Sequence, residues 1–208
     1  MINFLQLISS SGIFEREAGA LMTIMPAVYR LLEDKSSGEF QPCTPRCLYY
    51  HSGSPATAIV LDDLTEQGFR LADRTVGLDM QHCLLVMKAI AQSHAASAVM
   101  HLKDPEIFKS FSESFYCERQ RNTIGFMIQS TMKNLAMEVE KWPLFNDRFA
   151  RKLHRVADKC YDFLIKCLKR HDDDFNVLVH GDLWLNNIMF RYSDDTDEVV
   201  DVRYVPVY

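Results

Sequence analysis

Apolar residues recur at helical spacing over residues 13–25, where Phe14, Ala18, Leu21, Met22 and Met25 share one face. Pro26 breaks or kinks this helix and can open a second one carrying Val28, Leu31 and Leu32. Residues 33–42 are loop-forming by composition. The runs RCLYYH (46–51) and TAIVLDDL (57–64) are β-branched or aromatic, are flanked by Ser, Gly and Pro, and predict adjacent strands. From Val76 the period turns helical again, with Met80, Cys83, Leu84, Met87, Ile90, Ala91, His94, Ala95 and Ala98 on one apolar stripe. Further helices are expected over about 115–141 and from Asn146 or Asp147 onward, the latter turning Phe149, Leu153, Val156, Cys160, Leu164, Cys167 and Leu168 inward. The pattern then changes to strands, FNVLV (175–179) and NIMFRY (187–192), around a polar loop, and SDDTDE (193–198) connects to a returning strand, VVDVRYV (199–205).

Composition narrows the function classes. A chain of 208 residues can bury a substantial core. Its net charge of −5 argues against a nucleic-acid or anionic-membrane binder, which needs a basic face. No uninterrupted apolar run reaches the ~18–20 residues that span a bilayer. The opening MINFLQLISSSG has no Lys or Arg ahead of its apolar run, so it does not read as a leader peptide. Cys43 and Cys47 look like half of a zinc site, but no second pair follows at a suitable spacing. The six cysteines therefore read as reduced and structural, which suits the cytoplasm.

The chemistry concentrates in VLVHGDLWLNNIMF (177–190), where the order is His180, one residue, Asp182, four residues, Asn187. Phosphoryl transfer from ATP needs a carboxylate to orient the attacking hydroxyl and oxygen ligands to hold magnesium against the phosphates. Asp182 suits the first task. Asn187 suits the second, since Mg²⁺ prefers hard oxygen donors. His180 would shape the loop by packing and hydrogen bonding. The protein-kinase catalytic loop has the same Asp-to-Asn spacing. A metal-dependent hydrolase using His180 and Asp182 is a weaker reading, because no further ligands cluster nearby in sequence.

Four motifs in order resemble those of the ecdysteroid kinase-like (CHK kinase-like) family, within the aminoglycoside and choline kinase group. They are FEREAGALMTIMP (14–26), IVLDDLTEQGFRLADR (59–74), AIAQSHAASAVM (89–100) and HGDLWLNNIMF (180–190). The resemblance implies an α+β, protein-kinase-like fold. A partial N-terminal lobe, a helix plus two strands, would occupy residues 1–63. An incomplete and mostly helical C-terminal lobe with the loop hairpin would occupy 64–208. The resemblance further implies ATP and Mg²⁺ as cofactors and a small alcohol, possibly an ecdysteroid, as substrate, with no nucleic-acid, membrane or stable protein partner. Asp182 matches the catalytic aspartate and Asn187 the magnesium ligand. Glu17 matches the helix glutamate that pairs with a phosphate-binding lysine. Leu61, Asp62, Asp63 and Leu64 match the connection whose backbone meets adenine. The Asp62 and Asp63 carboxylates are expected to cap or face solvent, His94 to be a core histidine, and Trp184 to pack or to line the substrate.

Two departures bear on activity. The family pattern places a Gly-rich turn and a lysine before the Glu17 helix, whereas Gly12 is the only glycine there and the first lysine is Lys35. The returning strand should lead into a metal-binding aspartate, but the chain reads Val205, Pro206. Asp201 cannot substitute, lying roughly 16 Å back along an extended strand. Truncation at both ends and little or no turnover by the chain are the expectations. The alternative function is a catalytically inactive fragment or pseudokinase that acts as a binding module.

Overall fold

The computed structural model describes residues 12–34, 40–53, 56–111, 113–171 and 173–205. Within these ranges the chain groups into two compact units, residues 113–174 and residues 12–111 with 175–205. Helices and small antiparallel sheets are both present, so the content is α+β.

The larger unit begins with a helical run in three pieces: Ile13–Gly19 (α1), a π-helical turn Ala20–Ile24, and Met25–Glu33 (α2). Pro26 explains the join. Its ring would clash with the carbonyl of an α turn behind it, and it donates no N–H. Here it falls in the first turn of α2, where the missing donor costs nothing, and the wider π turn lies immediately before it. Cys47–His51 (β1) and Ala58–Leu61 (β2) pair antiparallel as the sequence predicts, with a bulge that leaves Leu48 unpaired.

Phe69–Leu71 (β3), Ile188–Tyr192 (β4) and Val199–Tyr204 (β5) form a second antiparallel sheet in that order. Sequence periodicity missed β3, which at three residues is too short to show alternation. It also assigned FNVLV to a strand. Residues 175–179 join no sheet, and the Leu178 N–H donates to the Ser97 hydroxyl instead (3.1 Å).

Met80–Lys103 (α3) starts at Asp79, whose side chain caps the His82 N–H (3.0 Å). This helix is long and apolar enough to cross a membrane by length and composition. In this unit it packs against α2 and β5. Its apolar stripe is not the inward face. Met80, Leu84 and Met87 are 72%, 61% and 62% exposed, while Val86, Ser93, Ala96, Ser97 and Met100 are buried. The serines can point inward because each hydroxyl donates to a carbonyl of its own helix, Ser93 to Ala89 (3.0 Å) and Ser97 to His94 (2.9 Å). Ile24, Met25, Val28, Ala96, Met100, Phe108 and Tyr204 form one core cluster, and Val86, Ile188, Phe190 and Val202 a second.

The other face of the three-stranded sheet holds a charged cluster that the sequence does not announce. Asp201 is buried and pairs with Arg203 (2.7 Å) and Arg191 (3.2 Å). Both guanidinium groups lie over the buried Phe69 ring, at 4.8 and 5.7 Å from its centre. Removing one member of a buried pair strands the other charge.

In the smaller unit, Phe126–Val139 (α4) packs against Arg151–Ala157 (α5) and Cys160–Cys167 (α6). The expected single helix from residue 146 is divided at Asp158–Lys159, and the Asn146 side chain accepts the neighbouring Asp147 N–H (2.7 Å). The inward face is also displaced. Ala150, Ala157 and Tyr161 are buried, whereas Phe149, Val156, Cys167 and Leu168 are exposed. Small alanines let helix backbones approach, and the fully buried Tyr161 fills the space beside Gly125 while donating to the Cys117 carbonyl (2.9 Å).

Two outcomes are expected. Asp201→Ala should lower unfolding free energy by on the order of 3 kcal/mol in urea melts, because Arg203 is left buried and uncompensated. Gly125→Ala should cost about 1–3 kcal/mol by the same measurement, because a Cβ there would sit 2.8 Å from the Tyr161 ring.

Candidate functional site

The loop between residue 180 and β4 is shaped by three local devices. Gly181 adopts φ +82°, a left-handed conformation that is strained for a side-chain-bearing residue. Leu185–Asn187 forms a single 3₁₀ turn, with the Asn187 N–H donating to the Trp184 carbonyl (2.9 Å). The Trp184 N–H donates to the Asp182 carbonyl (3.1 Å).

His180 is the buried member. Its Nε2–H donates to the Val205 carbonyl (2.8 Å), and its Nδ1 accepts the Asp182 N–H (3.3 Å). These partners fix one neutral tautomer. Burial holds its pKa below the ordinary histidine value, partly offset by the Val205 carbonyl and the Asp182 charge. A ring so occupied orients the loop and is not placed to shuttle protons.

Asp182 and Asn187 face each other. The Asn187 Nδ2 donates to the Asp182 carbonyl (2.8 Å) and to its Oδ2 (2.9 Å). With the amide nitrogen so engaged, Oδ1 of Asn187 accepts nothing among the described residues, and neither does Oδ1 of Asp182. A carboxylate oxygen and an amide oxygen are thus both open on a solvent-facing loop, a donor set that fits a hard cation. The Asn187 carbonyl accepts the Val205 N–H (2.9 Å), so both ends of the loop hold the same residue of the chain after β5. Pro206 lies outside the described residues. Asp201 faces its arginines, as described above. Trp184 is 52% exposed, so about half of its surface is open to solvent two residues from Asp182.

The remaining sequence-derived residues lie elsewhere in this unit. Glu17 on α1 is partly buried, and its carboxylate makes no hydrogen bond or ion pair among the described residues. Burial raises its pKa to about 7. The Cys47 thiol of β1 is raised chiefly by burial, with the Glu17 charge adding to it. Lys35 and the segment before Gly12 lie outside the described residues.

Leu61 ends β2 and Leu64 is buried. Asp62 receives a bidentate pair from Arg46 (2.7 and 3.1 Å), which lowers its pKa, and Asp63 caps the Thr65 N–H (2.8 Å). Their carboxylates are therefore occupied locally. Of the backbone, the Asp62 N–H goes to the Arg46 carbonyl and the Leu64 carbonyl to Gln67 and Phe69. The Asp62 carbonyl and Leu64 N–H stay unpaired among the described residues. His94 is half-buried, and burial lowers its pKa. It lines a small enclosed cavity with Ser93, Ser97, His180 and Tyr204. Tyr204 was not singled out in the sequence, and Cys43 was read only as half of a zinc pair or a structural cysteine; their contact joins segments that no local pattern links.

A model of the ecdysteroid kinase-like family matches residues 3–205. No curated protein and no solved structure gives a match.

Glu17 generates a pH dependence. Its folded pKa lies above the ordinary 4.5, so the folded state holds the proton more tightly than the unfolded chain. Stability should then fall as pH rises from about 4.5 to 7 and level off above. Glu17→Gln should raise the melting temperature at pH 8 and leave it nearly unchanged at pH 4.5. Equal shifts at both pH values would show that the carboxylate carries no such cost.

Proposed function

Because the chain belongs to the ecdysteroid kinase-like family, we propose that it serves phosphoryl transfer from ATP to a hydroxyl of a small, steroid-like alcohol. Membership implies a protein-kinase-like fold; on this reading the smaller lobe takes residues 1–63 and the larger one begins at residue 64. The reading rests on one observation above the rest: the Asn187 amide bonds Asp182 through its nitrogen and leaves its oxygen open.

In this reading Asp182 orients the attacking hydroxyl and accepts its proton at Oδ1. Asn187 turns its Oδ1 to magnesium, and its Nδ2 keeps the carboxylate from rotating away. Magnesium, when bound, would neutralise charge on the transferred phosphate. His180, neutral and doubly hydrogen-bonded, holds the loop so that Asp182 keeps its aim. The unpaired Asp62 carbonyl and Leu64 N–H present an acceptor and a donor two residues apart, a pattern that suits the edge of adenine. An ATP-dependent role fits the cytoplasm.

Glu17 favours a second reading. A half-buried carboxylate with no cation among the described residues lacks the pairing that kinase catalysis uses. On that reading the chain binds a ligand or partner without turnover.

One assay separates the two. Purified chain is incubated with Mg²⁺, γ-labelled ATP and a panel of sterol and other small alcohols, and transfer of label is followed. The catalytic reading requires transfer, with Asp182→Asn reducing it by roughly 10²–10⁴-fold. Absence of transfer, together with a melting temperature raised by Mg²⁺ and ATP, would favour the non-catalytic reading.

A further inference from the structure

Val205 is gripped from both sides by the loop, but what holds Val205 is the residue before it. The Tyr204 N–H donates to the Cys43 carbonyl (2.7 Å). Its hydroxyl lies 2.9 Å from both the Cys43 thiol and the Ser93 hydroxyl. The direction of these bonds follows from counting protons. The single proton of Ser93 goes to the Ala89 carbonyl (3.0 Å), so its oxygen must accept from Tyr204. Tyr204 has then spent its own proton, and its oxygen receives that of the Cys43 thiol. The order runs thiol, phenol, serine, carbonyl, in one sense only.

Cys43, Ser93 and Tyr204 are buried and tie three separate elements: the Cys43 segment, α3 through Ser93, and β5 through Tyr204. Tyr29 of α2 extends the network by accepting the Cys43 and Thr44 N–H groups (3.2 and 2.9 Å). The Tyr204 ring meets His180 edge-on, 5.1 Å between centres.

We propose that Tyr204 is the positioning residue of the Asp182 loop: its hydroxyl, fixed by Cys43 and Ser93, sets the place of the Val205 backbone, and His180 and Asn187 read that place and transmit it to Asp182. This rests on the phosphotransfer reading for its consequence in catalysis, but the positioning itself is measurable without turnover.

The test is amide hydrogen exchange on the full chain. The Asp182 N–H reports its bond to His180, and the Val205 N–H its bond to Asn187. Tyr204→Phe keeps the ring and removes the hydroxyl. Cys43 and Ser93, already 3.3 Å apart, can close on each other, so neither of these two groups is orphaned. Both reporter amides should exchange roughly tenfold faster, the scale of one lost hydrogen bond, while amides of β4 keep their rates. Where Tyr204→Phe does not fold, Cys43→Ala removes the same donor and should speed the same two amides, and Cys43→Ser should restore them. In a chain that turns over, kcat should fall with KM for ATP unchanged. Reporter amides that exchange at the parent rate in Tyr204→Phe, or that speed up only together with β4, overturn the proposal. An absence of turnover in the parent counts against the phosphotransfer reading alone.

Discussion

The backbone of Val205 is the point on which the site depends. Its carbonyl receives the His180 ring and its N–H is given to Asn187, so one residue at the end of β5 pins both the start and the finish of the loop. A loop with Gly181 at its bend has little rigidity of its own. The stiffness is borrowed from the sheet. Polar loop residues acquire a defined geometry only because a buried strand ends beside them, which is why a neutral histidine is more useful here than a charged one.

Around that point the larger unit divides its labour by face. One face of the three-stranded sheet is apolar, through Ile188, Phe190, Val202 and Tyr204, and lies against α3. The opposite face carries Asp201 with two arginines over Phe69. The apolar face supplies burial and the charged face supplies register. Arg191 and Asp201 are cross-strand partners, so a slip of one residue would put a carboxylate into the apolar layer.

The strands flanking short turns were legible in the sequence, as were the helix broken at Pro26 and the loop spacing that brings His180, Asp182 and Asn187 together. Periodicity failed where polarity and burial part company. Ser93 and Ser97 read as outward residues because a sequence does not show a hydroxyl satisfying its own helix, and Met80, Leu84 and Met87 read as inward for the converse reason. The Asp201 cluster stayed hidden because each member looks like an ordinary strand charge until Arg191 on the neighbouring strand is set opposite. The Cys43–Tyr204 contact joins residues 161 positions apart, beyond the reach of any local pattern.

The π turn Ala20–Ile24 has a consequence of its own. It amounts to one residue inserted into an α-helix, and each helical residue turns the chain by about 100°. The insertion therefore sets the azimuth between two contacts on one rod: Glu17, beside Cys47 of β1, and Tyr29, bonded to Cys43 and Thr44. A single-codon deletion in this turn would leave every remaining side chain chemically intact and the helix more regular. It would nonetheless aim Glu17 or Tyr29 at the wrong neighbour. The helix works here as an angular spacer, and its irregular turn is the setting of the dial.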